Sequence, residues 1–349
     1  LLDEKVFIKG YRRLQPGVNP EVEIGRFLTE ISPFSNIIPV AGTIEHHGNN
    51  GEPTTLAIVQ GYIENQGDAW SYTLDYLDRF LETCKVEPAA HLLEHPESEH
   101  AADLMMMARL GQRTGELHRA LAVESGDPAF DPEPVSVKEL NSWNERIRLD
   151  VIHTLDQLKR VKDVPGPVAD RITEVLAEKA SILRRVAETS LGGMELLKSR
   201  HHGDYHLGQV LVVENDFFII DFEGEPARPL SERRAKHTPL RDVAGMLRSF
   251  SYAAYAALYR LSTERPGDFE VMEPFARKWQ DAVSRAFLQG YTEAIGGCRV
   301  YPEDSERAGA LIRLLMLEKA LYELRYEMAN RPDWLLIPLR GVLDFSRDG

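Results

Sequence analysis

One stretch limits this chain more than any other: His202-Gly203-Asp204-Tyr205-His206-Leu207-Gly208-Gln209-Val210-Leu211, followed by Phe217-Phe218-Ile219-Ile220-Asp221-Phe222-Glu223-Gly224. The apolar runs Gln209–Val213 and Phe217–Ile220 each have strand length, and Glu214-Asn215-Asp216 between them has turn composition. That pattern predicts a β-hairpin. Asp204 lies in the loop before the first strand and Asp221 just after the second. Closing the hairpin therefore draws Asp204, Gln209 and Asp221 towards one end of a small sheet. Two carboxylates and an amide oxygen are hard ligands that suit Mg²⁺. The plainer reading is a buried hairpin with incidental acids. It is disfavoured because several chemically constrained positions agree within one short stretch.

The remaining sequence frames this hairpin. Val6-Phe7-Ile8-Lys9 reads as a short strand ending in a lysine. Asn19-Pro20 opens a helix, with Asn19 as N-cap and Pro20 at the first helical position. Two strands are expected over Ile37–Ile44 and Thr54–Gln60, with His46–Gly51 as the turn between them. Asp68 is a suitable N-cap for a helix over Ala69–Cys84. Helical periodicity follows over Glu97–Val123, over Val137–Asp163 and on to about Lys198, the last two segments broken at Val164-Pro165-Gly166-Pro167 and predicted to pair as a helical hairpin. Met105-Met106-Met107 reads as core filling and His118 as structural. A Pro- and Arg-rich loop spans Glu225–Pro239, and helices are expected from Leu240, over Phe275–Ala294, over Ser305–Asn330 and in a short tail after Trp334.

Charge and composition exclude some functions. A net charge of −14 repels nucleic acid and anionic lipid, so neither is expected as a main partner. The chain has 349 residues, 43% hydrophobic and 28% charged, as for a globular protein with a large core. Cys84 and Cys298 stand far apart with no signal peptide before them, which reads as reduced thiols of a cytoplasmic protein. No apolar run reaches the length of a membrane span. The chain starts Leu1-Leu2-Asp3, without Met, and is expected to be part of a longer protein.

The spacing of the hairpin acids resembles one known arrangement. Phosphotransferases of the protein-kinase type carry a catalytic-loop Asp, an amide-bearing metal ligand five residues later and a metal-binding Asp after the next strand pair. The form His202-Gly203-Asp204-x-His206 resembles the aminoglycoside-phosphotransferase branch, although the amide is Gln209 where Asn is usual. His202–Gln209 followed by Ile220-Asp221-Phe222-Glu223-Gly224-Glu225-Pro226 resembles the maltokinases, and so does Phe7-x-Lys9-x-x-Arg12-Arg13-x-x-x-Gly17-x-Asn19-Pro20-x-x-Glu23. The C-terminal stretch Glu318–Trp334 resembles their sugar-binding helix.

That resemblance implies an α+β, bilobal protein-kinase-like fold: a small, partial β-rich N-lobe over residues 1–63 and a large, mainly helical C-lobe over 64–349. The catalytic hairpin would span 202–226 and the sugar-binding helix 305–334. It implies ATP and Mg²⁺ as cofactors, with Lys9 on the α/β-phosphates, Glu23 as its salt-bridge partner, and Gln60, Tyr62 and Ile63 at the adenine-binding hinge. Asp204 would be the catalytic residue and Gln209 and Asp221 the metal ligands. His206, Glu223, Lys319, Tyr322, Arg325, Tyr326 and Trp334 would meet the sugar, and His202 and Asp242 would support the catalytic loop. The implied reaction phosphorylates maltose at its anomeric hydroxyl, feeding α-glucan synthesis from trehalose, with trehalose synthase as a fused or associated partner. The lid over the phosphates would lie upstream, since eight residues precede Lys9 and neither GxGxxG nor GxxxxGK[ST] occurs. Two alternatives stay open: a kinase of another small acceptor (an aminoglycoside, choline or another sugar), and a non-catalytic docking domain of a trehalose synthase fusion.

Overall fold

The computed structural model describes residues 5–48, 51–85, 100–189, 191, 194–263 and 267–347. Leu1–Asp3, Asn49-Asn50 of the expected turn and the first residues of the expected 97–123 helix lie outside them. The small lobe is a three-stranded antiparallel sheet in the order β1-β3-β2, made of β1 (Val6–Gly10), β2 (Val40–His47) and β3 (Pro53–Gly61). Both β2 and β3 run further into the turn than expected, because His46 and His47 pair with Thr54 and Pro53. Helix α1 (Pro20–Arg26) begins as expected: the Asn19 side chain accepts from the amides of Glu21 (2.9 Å) and Val22 (3.3 Å). Its residue Val22 packs with Val40 and Ile58 into the small-lobe core. Ile24, Phe27 and Leu28 face the other way and join the main core, where Phe27 stacks on Phe130 at 3.9 Å. One short helix thus belongs to two cores and fixes the lobes to each other.

The large lobe contains α2 (Ala69–Cys84), α3 (Ala101–Ala120), α4 (Val137–Leu158), α5 (Gly166–Ala177), α6 (Lys179–Glu188), the four-residue α7 (Leu230–Arg233), α8 (Leu240–Ser262), α9 (Asp268–Ile295), α10 (Ser305–Asn330) and α11 (Leu336–Arg347). Asp68 caps α2, accepting from the Ser71 amide at 2.7 Å. Of the three methionines at 105–107, only Met107 is buried, and Met105 is 71% exposed, so that stretch is not core filling as a unit. The expected long helix to Lys198 is instead two helices that stop at Glu188. Leu191, Met194 and Leu196 are buried outside any helix, and β5 (Leu197–Lys198) pairs with β4 (Glu133–Pro134). Apolar spacing cannot distinguish such a buried extended segment from one more helical turn.

The hairpin forms where expected, as β6 (Val210–Val213) and β7 (Asp216–Ile219). Gln209 sits in the single 3₁₀ turn before it. The hairpin also touches the small lobe: the Ile219 amide donates to the Asn36 carbonyl at 2.8 Å, and Asn36 Nδ2 donates to the Phe217 carbonyl at 3.0 Å. Helices α3 and α9 cross backbone to backbone. A Cβ on Gly111 would lie 2.0 Å from the Phe287 carbonyl oxygen, and one on Gly290 would lie 2.0 Å from that of Ala108. This close crossing carries His118, near the end of α3, to the loop described below. Among the described residues no helix is long and apolar enough to cross a membrane. Replacing Gly290 by Ala is expected to force α3 and α9 apart and destabilise the fold by about 1–3 kcal/mol, read as a lower denaturant midpoint.

Candidate active site

The loop at 202–206 is shaped by one buried carboxylate. Asp242, in the first turn of α8 and 2% exposed, accepts from the His202 amide (2.7 Å), the Gly203 amide (2.9 Å) and His118 Nε2 (3.1 Å). Burial alone would raise its pKa, but the His118 hydrogen bond and the neighbouring imidazoles hold the carboxyl well below the usual range. The other His118 nitrogen, Nδ1, meets the Tyr291 hydroxyl at 3.1 Å. His202 ties the loop to the hairpin through Nε2, 2.8 Å from the Ile220 carbonyl, so this nitrogen donates. Two glycines with left-handed backbone make a close crossing possible: Gly203 at φ 84° and Gly224 at φ 68°. A Cβ on Gly203 would lie 3.3 Å from the Gly224 Cα. The result is a rigid loop with Asp204 at its tip. Tyr205 points away, its hydroxyl 2.9 Å from Thr114 Oγ1.

A second cluster forms where the small lobe meets the end of the hairpin. Lys9 Nζ lies 2.9 Å from Glu21 Oε2 and 2.7 Å from Glu223 Oε1, and it also pairs with Asp221. Burial opposes the charge on Lys9, but the Glu21 and Asp221 carboxylates outweigh it and hold the ammonium above its ordinary value. Asp221 itself has φ 68°, a left-handed conformation that non-glycine residues adopt rarely and at some cost. Burial raises the Asp221 pKa, but Lys9, with His202 and Gln209 nearby, holds the carboxyl below its ordinary value. Glu21, Asp221 and Glu223 bring carboxylate oxygens within 4.8 Å of one another. With the Gln209 amide beside them, this is an oxygen donor set that fits a hard divalent cation.

The expected pairing of Lys9 with Glu23 is corrected here: Glu21 is the partner. Asn19 caps the helix so that Glu21 falls in its first turn, turned inward and 2% exposed, with Tyr11 donating its hydroxyl to the same carboxylate. Glu23 instead faces the loops of the large lobe. It binds Arg200 Nη1 at 2.8 Å, and Arg234 at 3.0 Å (Nε) and 2.7 Å (Nη2). Arg200 directly precedes the loop histidines and is almost wholly buried, with its guanidinium over Phe130. Sequence reasoning missed Glu21, Arg200 and Arg234. The only available signal was a second acid in the first turn of α1.

A cleft of about 440 Å³ opens beside Asp204. Lys319, Tyr322 and Arg325, from one face of α10, line it. Lys319 Nζ is 3.9 Å from Asp204 Oδ1 and 5.0 Å from the centre of the Tyr322 ring. Burial and the neighbouring Glu225 carboxylate push the Tyr322 phenol up, and Arg325 Nη1 donates to Thr154 at 2.6 Å. Tyr326 and Trp334 are not among the lining residues. Each helical turn advances the chain about 5.4 Å, which carries them past the end of the cleft. Tyr326 lies under the Arg331 guanidinium at 5.6 Å, and Trp334 packs with Tyr259 at 5.6 Å. His206 is turned into the loop, its Nδ1 accepting from the Gly208 amide at 3.1 Å, and burial pushes its pKa down. At the hinge, Gln60 pairs within β3 opposite Phe7, the Tyr62 amide donates to the Lys5 carbonyl at 2.9 Å, and the Ile63 carbonyl accepts from Asn65 at 3.0 Å. Two of the backbone groups expected near adenine, the Tyr62 amide and the Ile63 carbonyl, therefore already have partners within the chain.

No family model matches the chain. It is 25% identical over 293 residues to a glucosamine kinase of Streptacidiphilus jiangxiensis, a match covering 84% of this chain and 58% of that protein. It is 27% identical over 303 residues to a glucosamine kinase of Mycolicibacterium smegmatis, covering 84% and 64%. The chain thus spans less than two thirds of the length of these relatives. Among solved structures it is similar to a glucosamine kinase in complex with glucosamine, ADP and inorganic phosphate, with a TM-score of 0.72 at 24% identity, covering 99% of this chain and 73% of that one. A second glucosamine kinase structure gives 0.73 at 22% identity, covering 100% and 77%. The fold is therefore the expected one, an α+β kinase-like fold with a small sheet lobe and a larger helical lobe. These relatives are glucosamine kinases, not the maltokinases that the sequence motifs resemble.

Replacing Glu23 by Gln leaves the buried Arg200 without its counter-charge, and a loss of about 3 kcal/mol is expected in urea unfolding at pH 7. Burial raises the Glu23 pKa, but Arg234 and Arg200 outweigh it and hold the carboxyl below its ordinary 4.5. A depressed acid contributes stability above its unfolded pKa and loses it as pH falls through the folded value. The variant's deficit should therefore shrink below about pH 4.5.

Proposed function

We propose that this chain carries the phosphoryl-transfer centre of an ATP-dependent sugar kinase, with glucosamine as the first acceptor to test. The observation that carries the reading is Asp204. Its loop is fixed by backbone contacts to a buried carboxylate and opens onto a cleft, and the hairpin that follows this loop ends in the charged cluster around Lys9. Asp204 accepts the proton of the attacking sugar hydroxyl, or orients that hydroxyl, from the tip of a loop that cannot move far. Lys9 presents a persistent positive charge to phosphate oxygens, and Glu21 holds it in place from below. Asp221 and Gln209, with Glu223 beside them, would hold Mg²⁺, which when bound neutralises charge on the transferring phosphoryl group. His202 and Asp242 keep the loop in register with the hairpin. Catalysis is then mainly positioning and charge neutralisation.

The choice of acceptor rests on the relatives, which are glucosamine kinases, and on a similar solved glucosamine kinase that holds glucosamine, ADP and inorganic phosphate. Maltose, phosphorylated at its anomeric hydroxyl, is the second reading. The Lys319–Tyr322 face favours a sugar of either kind, since an aromatic ring suits an apolar sugar face. The positions of Tyr326 and Trp334, outside the cleft, weigh against an extended aromatic platform for a disaccharide. A trehalose synthase partner belongs to the maltose reading alone. A non-catalytic docking role is disfavoured by the elaborate internal support around Asp204 and Lys9.

The intact protein, given Mg-ATP and a panel of glucosamine, maltose, glucose, choline and kanamycin, should yield one sugar phosphate by phosphorus NMR. Asp204→Asn should lower kcat by about 10²–10⁴-fold with an unchanged melting temperature. Full activity in that variant would remove Asp204 from the reaction, and a maltose 1-phosphate product would select the second reading.

A further inference from the structure

The cleft beside Asp204 has a wall that the kinase motifs do not account for. Three buried side-chain nitrogens of residues lining it have no hydrogen-bond partner in the protein: His201 Nδ1, Arg233 Nε and His237 Nε2. Buried polar atoms are nearly always paired, so such a concentration in one cavity calls for a partner from outside the chain. The two histidines are held there on purpose-built backbone. Ser199 and His237 exchange both amide-to-carbonyl bonds at 3.0 Å, which pins the segment after the hairpin against the strand leading into the catalytic loop. Trp143 stacks on the His237 ring at 4.1 Å. The imidazoles of His201 and His237 then stand 6.2 Å apart, centre to centre.

The chemistry of this pair can be read from its bonds. His237 Nδ1 accepts from the Thr238 amide at 2.9 Å, so Nδ1 carries no proton and the neutral ring carries its proton on Nε2. The unpaired Nε2 is therefore a donor. Burial keeps both rings neutral, pushing His201 down to about 4 and His237 well below its ordinary value, where Arg241 adds to the effect. The nearby guanidiniums of Arg241 and Arg146 share the single carboxylate of Glu318, at 3.3 and 3.6 Å. A neutral donor beside this net positive charge disfavours an ammonium group. It suits hydroxyl oxygens, which both accept and donate.

We propose that His237 and His201 form a hydroxyl-binding subsite of the acceptor cleft, in which His237 Nε2–H donates to a sugar hydroxyl and His201 Nδ1 meets a neighbouring one. The subsite rests on the sugar-kinase reading and refines it. It takes a neutral polyol edge and turns any amino group of the acceptor towards another wall. His237 is thus a specificity residue, remote in sequence from every motif that suggested the reaction.

The test uses the intact protein with histidine-selective ¹⁵N labelling, titrated with glucosamine, glucose and maltose, alongside steady-state kinetics. A binding sugar should shift the His237 Nε2 resonance. His237→Phe, which keeps a ring against Trp143 but has no donor, should raise the acceptor KM about 3- to 10-fold while the ATP KM stays put. His237→Gln, which restores a donor, should recover most of the loss. Unmoved histidine resonances with every sugar would overturn the subsite and leave these nitrogens to buried water. Equal changes in both KM values would also overturn it, marking His237 as a packing residue. A sugar that shifts the resonance without being phosphorylated keeps the subsite and defeats the kinase reading. A phosphorylated sugar that leaves the resonance in place does the reverse. Should His237→Phe fail to fold, the titration of the unaltered protein decides.

Discussion

The arrangement around Asp204 depends on a carboxylate that never reaches the cleft surface. Burying an ion without partners costs several kcal/mol, and Asp242 is almost fully buried. It is stabilised by two backbone amides of the 202–204 loop and by His118, so the loop must adopt the shape that delivers those amides. His118 arrives through a helix crossing that only glycine permits, at Gly111 and Gly290. The position of one reactive side chain is thereby tied to the packing of two helices far from it in sequence. Gly245 belongs to the same device: a Cβ there would lie 2.6 Å from the Tyr205 carbonyl oxygen, so α8 can press directly on the loop it supports.

Charge, more than apolar area, sets how the small lobe meets this loop. Two acids in the first turn of α1 act in different directions. Glu21 turns towards Lys9 and, through it, towards Asp221 and Glu223. Glu23 turns towards Arg200, just before the loop, and Arg234, in the segment after the hairpin. Both contacts span the lobes and both end within a few residues of Asp204 or Asp221. The apolar contact of Phe27 with Phe130 lies behind them and fixes the distance over which those charges act.

Local chemistry in the sequence revealed much of this. The hairpin, the Asn19 and Asp68 caps and the break at Pro165 all follow from short-range patterns with a stated mechanism, whereas the support given by Asp242 and His202 is implied by the kinase resemblance. The errors fall where a side chain's direction is set by distant packing. Glu21 and Glu23 are near neighbours on one helix turn, and spacing alone cannot say which faces a lysine on another strand. Tyr326 and Trp334 share composition with a sugar platform, yet neither lines the cleft: Tyr326 sits in the last turns of α10 and Trp334 in the 3₁₀ turn after it. The His201–His237 wall is brought together by a single backbone bridge between segments that no periodicity connects. A helix expected to continue to Lys198 ends at Glu188, because buried apolar residues look alike in extended and helical chain.

The central claim is that Asp204 and Asp221 face one reaction space between the lobes, and it is most directly tested by a crystal structure of the intact protein with a magnesium-bound, non-hydrolysable ATP analogue and glucosamine. The account predicts the metal on Asp221 and Gln209, the terminal phosphate near Lys9, and a sugar hydroxyl within hydrogen-bonding reach of Asp204, the sugar's far edge lying against His237. A nucleotide bound away from Lys9 and Asp221, or a sugar whose hydroxyls lie out of reach of Asp204, would contradict it.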